Sequence, residues 1–569
     1  MVNFHDKYQY NYKYWLTCIV GFVTIFAIIV IGVFYMAKPH LDSFVKNEIA
    51  RHSINAEKSE VSIIGKVNLT NVTLPTPENV SLKVGAISGR PPIAFIPGTF
   101  TLYDVDLKYN DIHLQIPQIS ISNISLKNKD VTITSRILQS LMRVNISSIN
   151  ASDILIFTEN TNKPTSKFNI ANFQLSGFKN GHIRSISIKN VVDLNHPDFS
   201  PTSFDSTKQI HLSTQNNKIQ AYDIDVSYLY SIISGKNNPD DQSKTVIGSI
   251  ALKDIMIDIF KGKEKNASFS LGELKISDLK MKPLEETPEK LIKAYLNAKK
   301  MKNQAAQKEA QNAILRTSIS AITSINAQIN KVDIDLPQLI TTLKSFQIKS
   351  NQWQQPIPES FLISLNDLLI SPKKPEQKNL SFLQDMGFEY LDISGKVNVF
   401  YDEKNHELLL NGISFNIKNI GFGEVSAKIV DVDKTLFSGE KEKIIAASQN
   451  LGVTEIDMRY TDFGFIDKLF SYLAQNLDDD KYDLKEELYD DFYLIITQSP
   501  KILLKNHSDV ENIAQALGDF AKNPQTLKIQ ITAKDNKGLT VDDLQTALQN
   551  NLPAVLRKVN LTIKNEPSH

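Results

Sequence analysis

Through most of the first half of the chain, apolar residues recur at every second position, which is the period of a strand with one buried face. The series begins at Val61 and Ile63 and runs through Val67 and Leu69, then Val80, Leu82 and Val84. It continues with Phe100 and Leu102, Val105 and Leu107, and Ile112, Leu114 and Ile116, with Ser, Thr, Asn and Lys between. Pro117 shifts the phase to Ile119 and Ile121, and Asn123 shifts it again to Ile124 and Leu126. Such shifts predict bulges or turns. The same texture recurs at Phe168 and Ile170, Phe173 and Leu175, Ile186 and Ile188, Ile224 and Val226, Ile255 to Ile259, and Leu274 and Ile276. One apolar and one polar face describe an antiparallel meander rather than a parallel sheet covered on both sides. Helices are predicted there only briefly, at Leu41 to His52 and Ile137 to Met142.

From Pro288 the segment PEKLIKAYLNAKKMKNQAAQKEAQNAIL is rich in Ala, Lys, Gln and Glu and lacks Gly, which predicts one long helix with a narrow apolar stripe. A second β region starts near Ile325 and is clearest from Leu391 to Val430, with a turn at Asp402 to Asn405. Helices follow at Lys443 to Leu451, Phe465 to Leu477, Leu484 to Leu494 and Val510 to Lys522, with strands at Leu527 to Ala533 and Val559 to Lys564. The predicted class is mainly β with an α+β C-terminal part. The predicted divisions are a β domain at 38–283, a helical divider at 284–330 and an α+β domain at 331–569.

Ahead of the strands, Trp15 to Ala37 carries no charge, and at 1.5 Å per residue it crosses a hydrocarbon core of about 30 Å. It is predicted to be a single transmembrane anchor behind a short cytoplasmic tail at 1–14, with Trp15, Cys18, Phe22, Phe26, Ile29, Phe34 and Tyr35 in the span or at its aromatic ends. The apolar run exceeds the usual core of a cleaved signal peptide, and no A-x-A site follows it. Lys7 and Lys13 before the span nearly balance Lys38, Lys46 and Arg51 after it, so charge does not orient it. A short tail before one span behaves as an export signal, which places the body outside the cytoplasm.

Composition narrows the chemistry. Lys plus Arg equals Asp plus Glu at 63 each, so no global positive field exists to hold a nucleic acid. Cys18 is the only cysteine, which leaves the body without a disulfide, a thiolate metal site or a cysteine nucleophile. No P-loop, HExxH, G-x-S-x-G or G-x-G-x-x-G is present, and the histidines are scattered, so no enzyme, cofactor or metal is expected. The acidic run Asp478, Asp479, Asp480, Asp483, Glu486, Glu487, Asp490 and Asp491 lacks the glycine and ligand order of a calcium loop and reads as a solvated helix face. Gly421 and Gly423 read as a bulge or tight turn. Asn-x-Ser/Thr triplets at Asn68, Asn71, Asn79, Asn123, Asn145, Asn150 and Asn266 are either glycosylation acceptors or a by-product of polar strand faces.

The N-terminal anchor, the helix LDSFVKNEIARH beyond it, the glycine-led strand IIGKVNLTNVTLP and the meander that follows resemble the AsmA-like family of bacterial envelope proteins. That resemblance covers about the first half of the chain. It implies an inner-membrane protein that projects into the periplasm and carries or shields lipid on an apolar sheet face. An antiparallel sheet with one apolar face must bury it against a sheet, a helix or acyl chains. Ile112, Leu114, Ile116, Ile119 and Ile121 would line a groove if the partner is lipid, and a closed core otherwise. The expected partners are the bilayer, lipid or envelope proteins. The functional expectation is a non-enzymatic envelope protein for lipid movement or outer-membrane maintenance, and the alternative is an anchored scaffold that binds protein partners.

Overall fold

The architecture was taken from a computed structural model. It describes residues 55–567 except 62–65, 75–79, 93–96, 127–143, 159–166, 194–208, 212–216, 234–241, 262–263, 285, 302, 355–356, 374–383, 438–440, 477–483, 505–507 and 549–551. The membrane anchor expected at Trp15 to Ala37 and the helices expected at Leu41 to His52 and Ile137 to Met142 lie outside the described residues. Among those described, no helix is long and apolar enough to cross a membrane.

The chain is mainly β and divides into two compact units: residues up to Asn238 with Thr245–Glu264 and Thr287–Glu289, and Pro239–Lys244 with Lys265–Glu286 and Lys290–His569. The division therefore falls before the strand at Glu264–Met281, about twenty residues earlier than alternation alone suggested, because that strand pairs with Ile322–Asp335.

In the first unit the strands are β1 (Asn55–Val61), β2 (Val67–Leu74), β3 (Val80–Arg90), β4 (Gly98–Tyr109), β5 (Ile112–Leu126), β6 (Val144–Thr158), β7 (Lys167–Lys179), β8 (His182–Asp193), β9 (Gln209–His211), β10 (Lys218–Asp225) and β11 (Lys244–Lys261). Neighbours pair antiparallel from β1 to β8, β10 joins β8 to β11, and β9 pairs with β11. A short helix α1 (Val226–Ile233), which alternation did not reveal, follows β10, and its Tyr228 N–H donates to Asp225 Oδ1 at 2.8 Å.

The phase shifts at Pro117 and Asn123 do not end a strand. Buried residues in β6 are Val144, Ile146, Ile149, Ala151, Ile154 and Ile156, and in β5 they are Leu114, Ile116, Ile119, Ile121 and Ile124. Steps of two and three alternate, and each three-residue step turns two successive side chains outward while the same face stays buried. The three-residue steps line up across the sheet. Asn71, Asp104, Asp153 and Asn190, one in each even-numbered strand from β2 to β8, have φ near +50°. In register they stand opposite Gly85, Pro117 and Ala171 on the strands between. Asn and Asp tolerate this left-handed conformation best among residues with side chains. At Gly85 an added Cβ would stand 3.0 Å from Asp104 Cβ, a close approach that glycine avoids. Pro117, which lacks an N–H, is tolerated inside β5 at an interruption of this kind.

Leu69, Leu82, Val84, Phe100, Ile116 and Ile154 on the inner face are all at most 1% exposed, and residues from β2 to β8 form one continuous core cluster.

In the second unit the sheet runs β12 (Glu264–Met281), β13 (Ile322–Asp335), β14 (Leu339–Gln354), β15 (Ile357–Pro372), β16 (Leu391–Asp402), β17 (Glu407–Ile417), β18 (Gly421–Val430), β19 (Gly452–Asp462), β20 (Thr526–Ala533) and β22 (Val559–Glu566), with β21 (Leu539–Thr540) beside β19. The single long helix expected from Pro288 is two helices, α2 (Pro288–Lys300) and α3 (Gln304–Ala321). Asn303 starts the second by accepting the Ala306 N–H at its Oδ1, 3.1 Å away. The later helices are α4 (Lys441–Ser448), α5 (Phe465–Asn476), α6 (Leu484–Leu504), α7 (Val510–Lys522), α8 (Val541–Leu548) and α9 (Leu552–Leu556). The turn at Asp402 is a side-chain-closed one, its carboxylate accepting the N–H groups of Lys404 and Asn405 at 3.0 and 3.1 Å.

Candidate functional site

Two rows of side chains define the apolar face of the second sheet. One runs Leu271, Val332, Leu343, Leu368, Ile393 and Ile417 from β12 to β17, and the next runs Leu274, Ile329, Phe346, Leu365, Gly395 and Phe415. Neither row contains a charged or hydrogen-bonding side chain. The opposite face is a polar ladder. Asn326 Nδ2 donates to Ser277 Oγ at 3.2 Å, Gln347 Nε2 to Asn326 Oδ1 at 2.9 Å, and Asn366 Nδ2 to Ser345 Oγ at 2.8 Å. The alternation in sequence therefore fixes which face avoids water, as it does in the first unit.

Coverage separates the two sheets. From β12 to β17 every side chain of the two rows except Phe415 is half-buried, and Phe415 is 46% exposed. The same face continues onto β19, β20 and β22, since Phe415 pairs with Gly423, Gly423 with Tyr460 and Tyr460 with Leu527. There it is covered: Ile531, Leu561 and Ile563 pack against Leu504 of α6, Ile513 and Leu517 of α7, Ala547 of α8 and Val555 and Leu556 of α9. The helical layer stops at Tyr460, whose ring meets Phe520 of α7 edge-on with centroids 6.2 Å apart. Burial pushes the Tyr460 hydroxyl well up, and the neighbouring Asp462, which accepts its hydrogen bond at 3.1 Å, adds to this. The phenol is thus a neutral wall at neutral pH.

At the strand ends a small cluster of Met386 and Phe388 with Leu391, Ile420, Phe465, Leu469 and Tyr472 closes the margin. Gly423 has a defined reason to be glycine, because an added Cβ would stand 2.2 Å from the Phe415 ring that lies over it. Gly421 and Gly423 are regular ladder positions of β18 and not the bulge or tight turn expected, because the close approach of the Phe415 ring, rather than a kink, calls for a glycine. The six strands from β12 to β17 span about 24 Å at ~4.8 Å per strand. That exceeds the roughly 15 Å depth of one hydrocarbon leaflet. An uncharged face of this length can take extended hydrocarbon, and it offers no group for acid–base or nucleophilic chemistry.

The other sequence-stated candidates are placed elsewhere. Leu114, Ile116, Ile119 and Ile121 are between 1% and 5% exposed within the first unit's core, and Ile112 packs against it. Of the two roles left open for them, they occupy the filled interior. Trp15, Cys18, Phe22, Phe26, Ile29, Phe34 and Tyr35 lie outside the described residues, as do Asp478 to Asp480 and Asp483. Glu486, Glu487, Asp490 and Asp491 are exposed on α6, and no cluster of potential metal ligands occurs among the described residues. Near α6, Tyr489 donates to Asp467 at 3.3 Å and Lys485 sits 2.8 Å from the same carboxylate. The Lys485 hydrogen bond holds Asp467 below the usual carboxylate range, while burial and that carboxylate push Tyr489 up to about 12. This trio ties α5 to α6. Sequence alternation marked the half-buried face as strand but gave no sign that it lacks a cover.

What fold and site define together is a mainly β protein with one sealed apolar core and one apolar sheet face left partly open beside a helix-covered end. A family model described only as "Uncharacterized protein" matches residues 414–566, from within β17 through β22. No curated protein matches the chain.

Proposed function

We propose that this protein is a membrane-anchored, non-enzymatic lipid-binding protein. It is tethered by Trp15 to Ala37 with its body outside the cytoplasm, and it holds acyl chains against the apolar face of β12 to β17. A single observation carries this reading. Two sheets share the same in-and-out pattern, yet in the first the core residues from β2 to β7 are at most 9% exposed, whereas the second leaves its apolar face half-buried from β12 to β17, beside a helix-covered end. Unfilled apolar surface of this extent marks a place for an apolar occupant. Its uncharged rows favour hydrocarbon over a peptide, whose backbone would bring unpaired polar groups. The resemblance to AsmA-like envelope proteins supports the same class of ligand, carried by the second unit here.

Native mass spectrometry of the full chain, released gently from detergent, tests it. Bound phospholipid or fatty acid is expected, and it is expected to fall sharply in a Phe346→Asp, Ile363→Asp variant while a Lys349→Asp variant on the polar face retains it. Lipid-free protein, or equal lipid in all three, would reject the reading.

A further inference from the structure

Two side chains on the apolar face of the second sheet carry buried hydroxyls that the fold does not satisfy. Ser350 of β14 is 1% exposed and Thr323 of β13 is 8% exposed, and neither Ser350 Oγ nor Thr323 Oγ1 has a hydrogen-bond partner among the described residues. Native folds seldom leave a buried hydroxyl unpaired, because its lost solvation is not returned. Ser324, buried beside them, is the contrast, since its hydroxyl donates to the Ser350 carbonyl at 3.2 Å. Register places the two unsatisfied hydroxyls on the face that the lipid reading uses. Ser350 follows Phe346 and Ile348 at alternate positions and stands opposite Ile325 and Phe361, while Thr323 precedes Ile325 and Ala327 in the same way. The two are diagonal neighbours, with Cβ atoms less than about 8 Å apart, so both hydroxyls can turn toward one oxygen between them.

We propose that Ser350 and Thr323 form the polar end of the lipid site, where their hydroxyls donate to the carbonyl oxygen at the head of an acyl chain. The inference rests on the reading that hydrocarbon lies on β12 to β17, and it names the group that ends that hydrocarbon. A carbonyl oxygen offers two lone pairs to the two donors. The same-face neighbours of the pair are Ile325, Ile348 and Phe361, and the nearest charge along β14, Lys349, pairs with Asn326 and Leu362 on the opposite face. That setting suits an ester or a protonated carboxyl and disfavours a phosphate, whose charge would be buried unpaired. Length agrees. From Ser350 to the exposed Phe415 the face crosses three strands and four residues, a diagonal of about 20 Å at ~4.8 Å per strand and ~3.4 Å per residue. That exceeds the roughly 15 Å depth of one leaflet, so the chain of a bilayer lipid fits between them. Thr323 is the second residue of β13, so a headgroup beyond the carbonyl projects past the strand end.

The test loads the full chain in detergent with methyl palmitate, palmitic acid, dipalmitoyl phosphatidylcholine or hexadecane, and reads uptake by native mass spectrometry. A Ser350→Ala, Thr323→Val variant, which changes little but the hydroxyls, should bind methyl palmitate about 10-fold more weakly than the unaltered chain, as two neutral hydrogen bonds require. Hexadecane, which has no carbonyl, should bind both equally. A matching loss for palmitic acid or for the phosphatidylcholine identifies the acyl source as free acid or phospholipid, and a loss with neither leaves a neutral ester. The unfolding midpoint without added lipid should not fall, because the removed hydroxyls make no bond within the fold, whereas a structural role would lower it. No weakening for methyl palmitate, equal weakening for hexadecane, or a lowered midpoint would overturn the inference while leaving hydrocarbon binding in place. A chain that takes up none of the four probes rejects the lipid reading itself, and this inference with it.

Discussion

Replacing Asp153 probes why kinks recur in register across the first sheet. Asp153 is exposed, has φ of +54° and stands between Pro117 and Ala171, and its carboxylate has no hydrogen-bond or ion-pair partner among the described residues. Its identity should therefore matter through the backbone alone. Holding a residue with a Cβ in the left-handed region costs about 1–2 kcal/mol, and a β-branched side chain stands at the upper end. Asp153→Val should then destabilise the first unit by about 2 kcal/mol. Asp153→Asn and Asp153→Gly should stay within ~0.5 kcal/mol of the parent, because Asn and Gly accept this conformation. With a urea m-value of about 2 kcal/mol/M, the valine variant moves the midpoint down by about 1 M. Ser152→Val, one residue away and also outward-facing, is the control and should be nearly neutral. Both tryptophans, Trp15 and Trp353, lie outside the unit's described strands, so the assay is hydrogen exchange by mass spectrometry along a urea series, read on β5 to β7 peptides. The reasoning fails if Asp153→Gly destabilises as much as Asp153→Val, or if the valine variant matches Ser152→Val.

Ile154→Ala, at a site 0% exposed, should cost about 2–5 kcal/mol, while Ile363→Ala on the half-buried face should cost less than half as much, both measured by denaturant unfolding. Gly423→Val should destabilise by about 1–3 kcal/mol by driving the Phe415 ring off the strand, and adding Phe415→Ala should recover most of the loss in a double-mutant cycle. Asp543 caps α8 reciprocally with Thr540, whose hydroxyl donates to it at 2.9 Å, and pairs with Lys558 at 2.6 Å. Burial opposes ionisation of Asp543, but Lys558 and Thr540 outweigh it and the carboxyl is held below its ordinary value. A depressed folded pKa stabilises the fold above the unfolded value of about 3.9 and is lost as pH falls through the folded one. Asp543→Asn should thus remove about 1 kcal/mol at pH 7 and flatten the acid limb of the stability curve below pH 4.

Much of the fold was legible because alternation is a local property. The strands β2 to β5, β7, β8, β13 and β15 to β18 stand where the sequence reading placed apolar alternation, β6 and β14 fall where it named none, and α7 runs from Val510 to Lys522 as expected. Helix α6 went further than local rules allow. It was expected to end at Leu494, but it continues through Pro500 to Leu504 because Pro500 and Leu504 are buried against neighbouring elements, which offsets the hydrogen bond that Pro500 cannot make. The left-handed row was visible only as a phase slip at Pro117. Its alignment depends on strand register, which pairs Pro117 with Asp104 and Asp153. The open face was not legible at all. Ile363 and Leu365 alternate as Leu114 and Ile116 do, and whether a helix lies over them is a matter of long-range packing, so alternation left groove and core open for β5, whose Leu114 and Ile116 belong to the first unit's core cluster.

The central claim is that hydrocarbon lies on the second sheet and not in the first. A phospholipid carrying a diazirine near its acyl terminus, incubated with the full chain in detergent and irradiated, reports the answer by peptide mapping. Besides the Trp15 to Ala37 segment, adducts are predicted at Ile329, Phe346, Ile363, Leu365 and Phe415, and none at Leu114, Ile116 or Ile121. Adducts confined to the N-terminal segment, or spread equally over the first unit's core, would contradict the account.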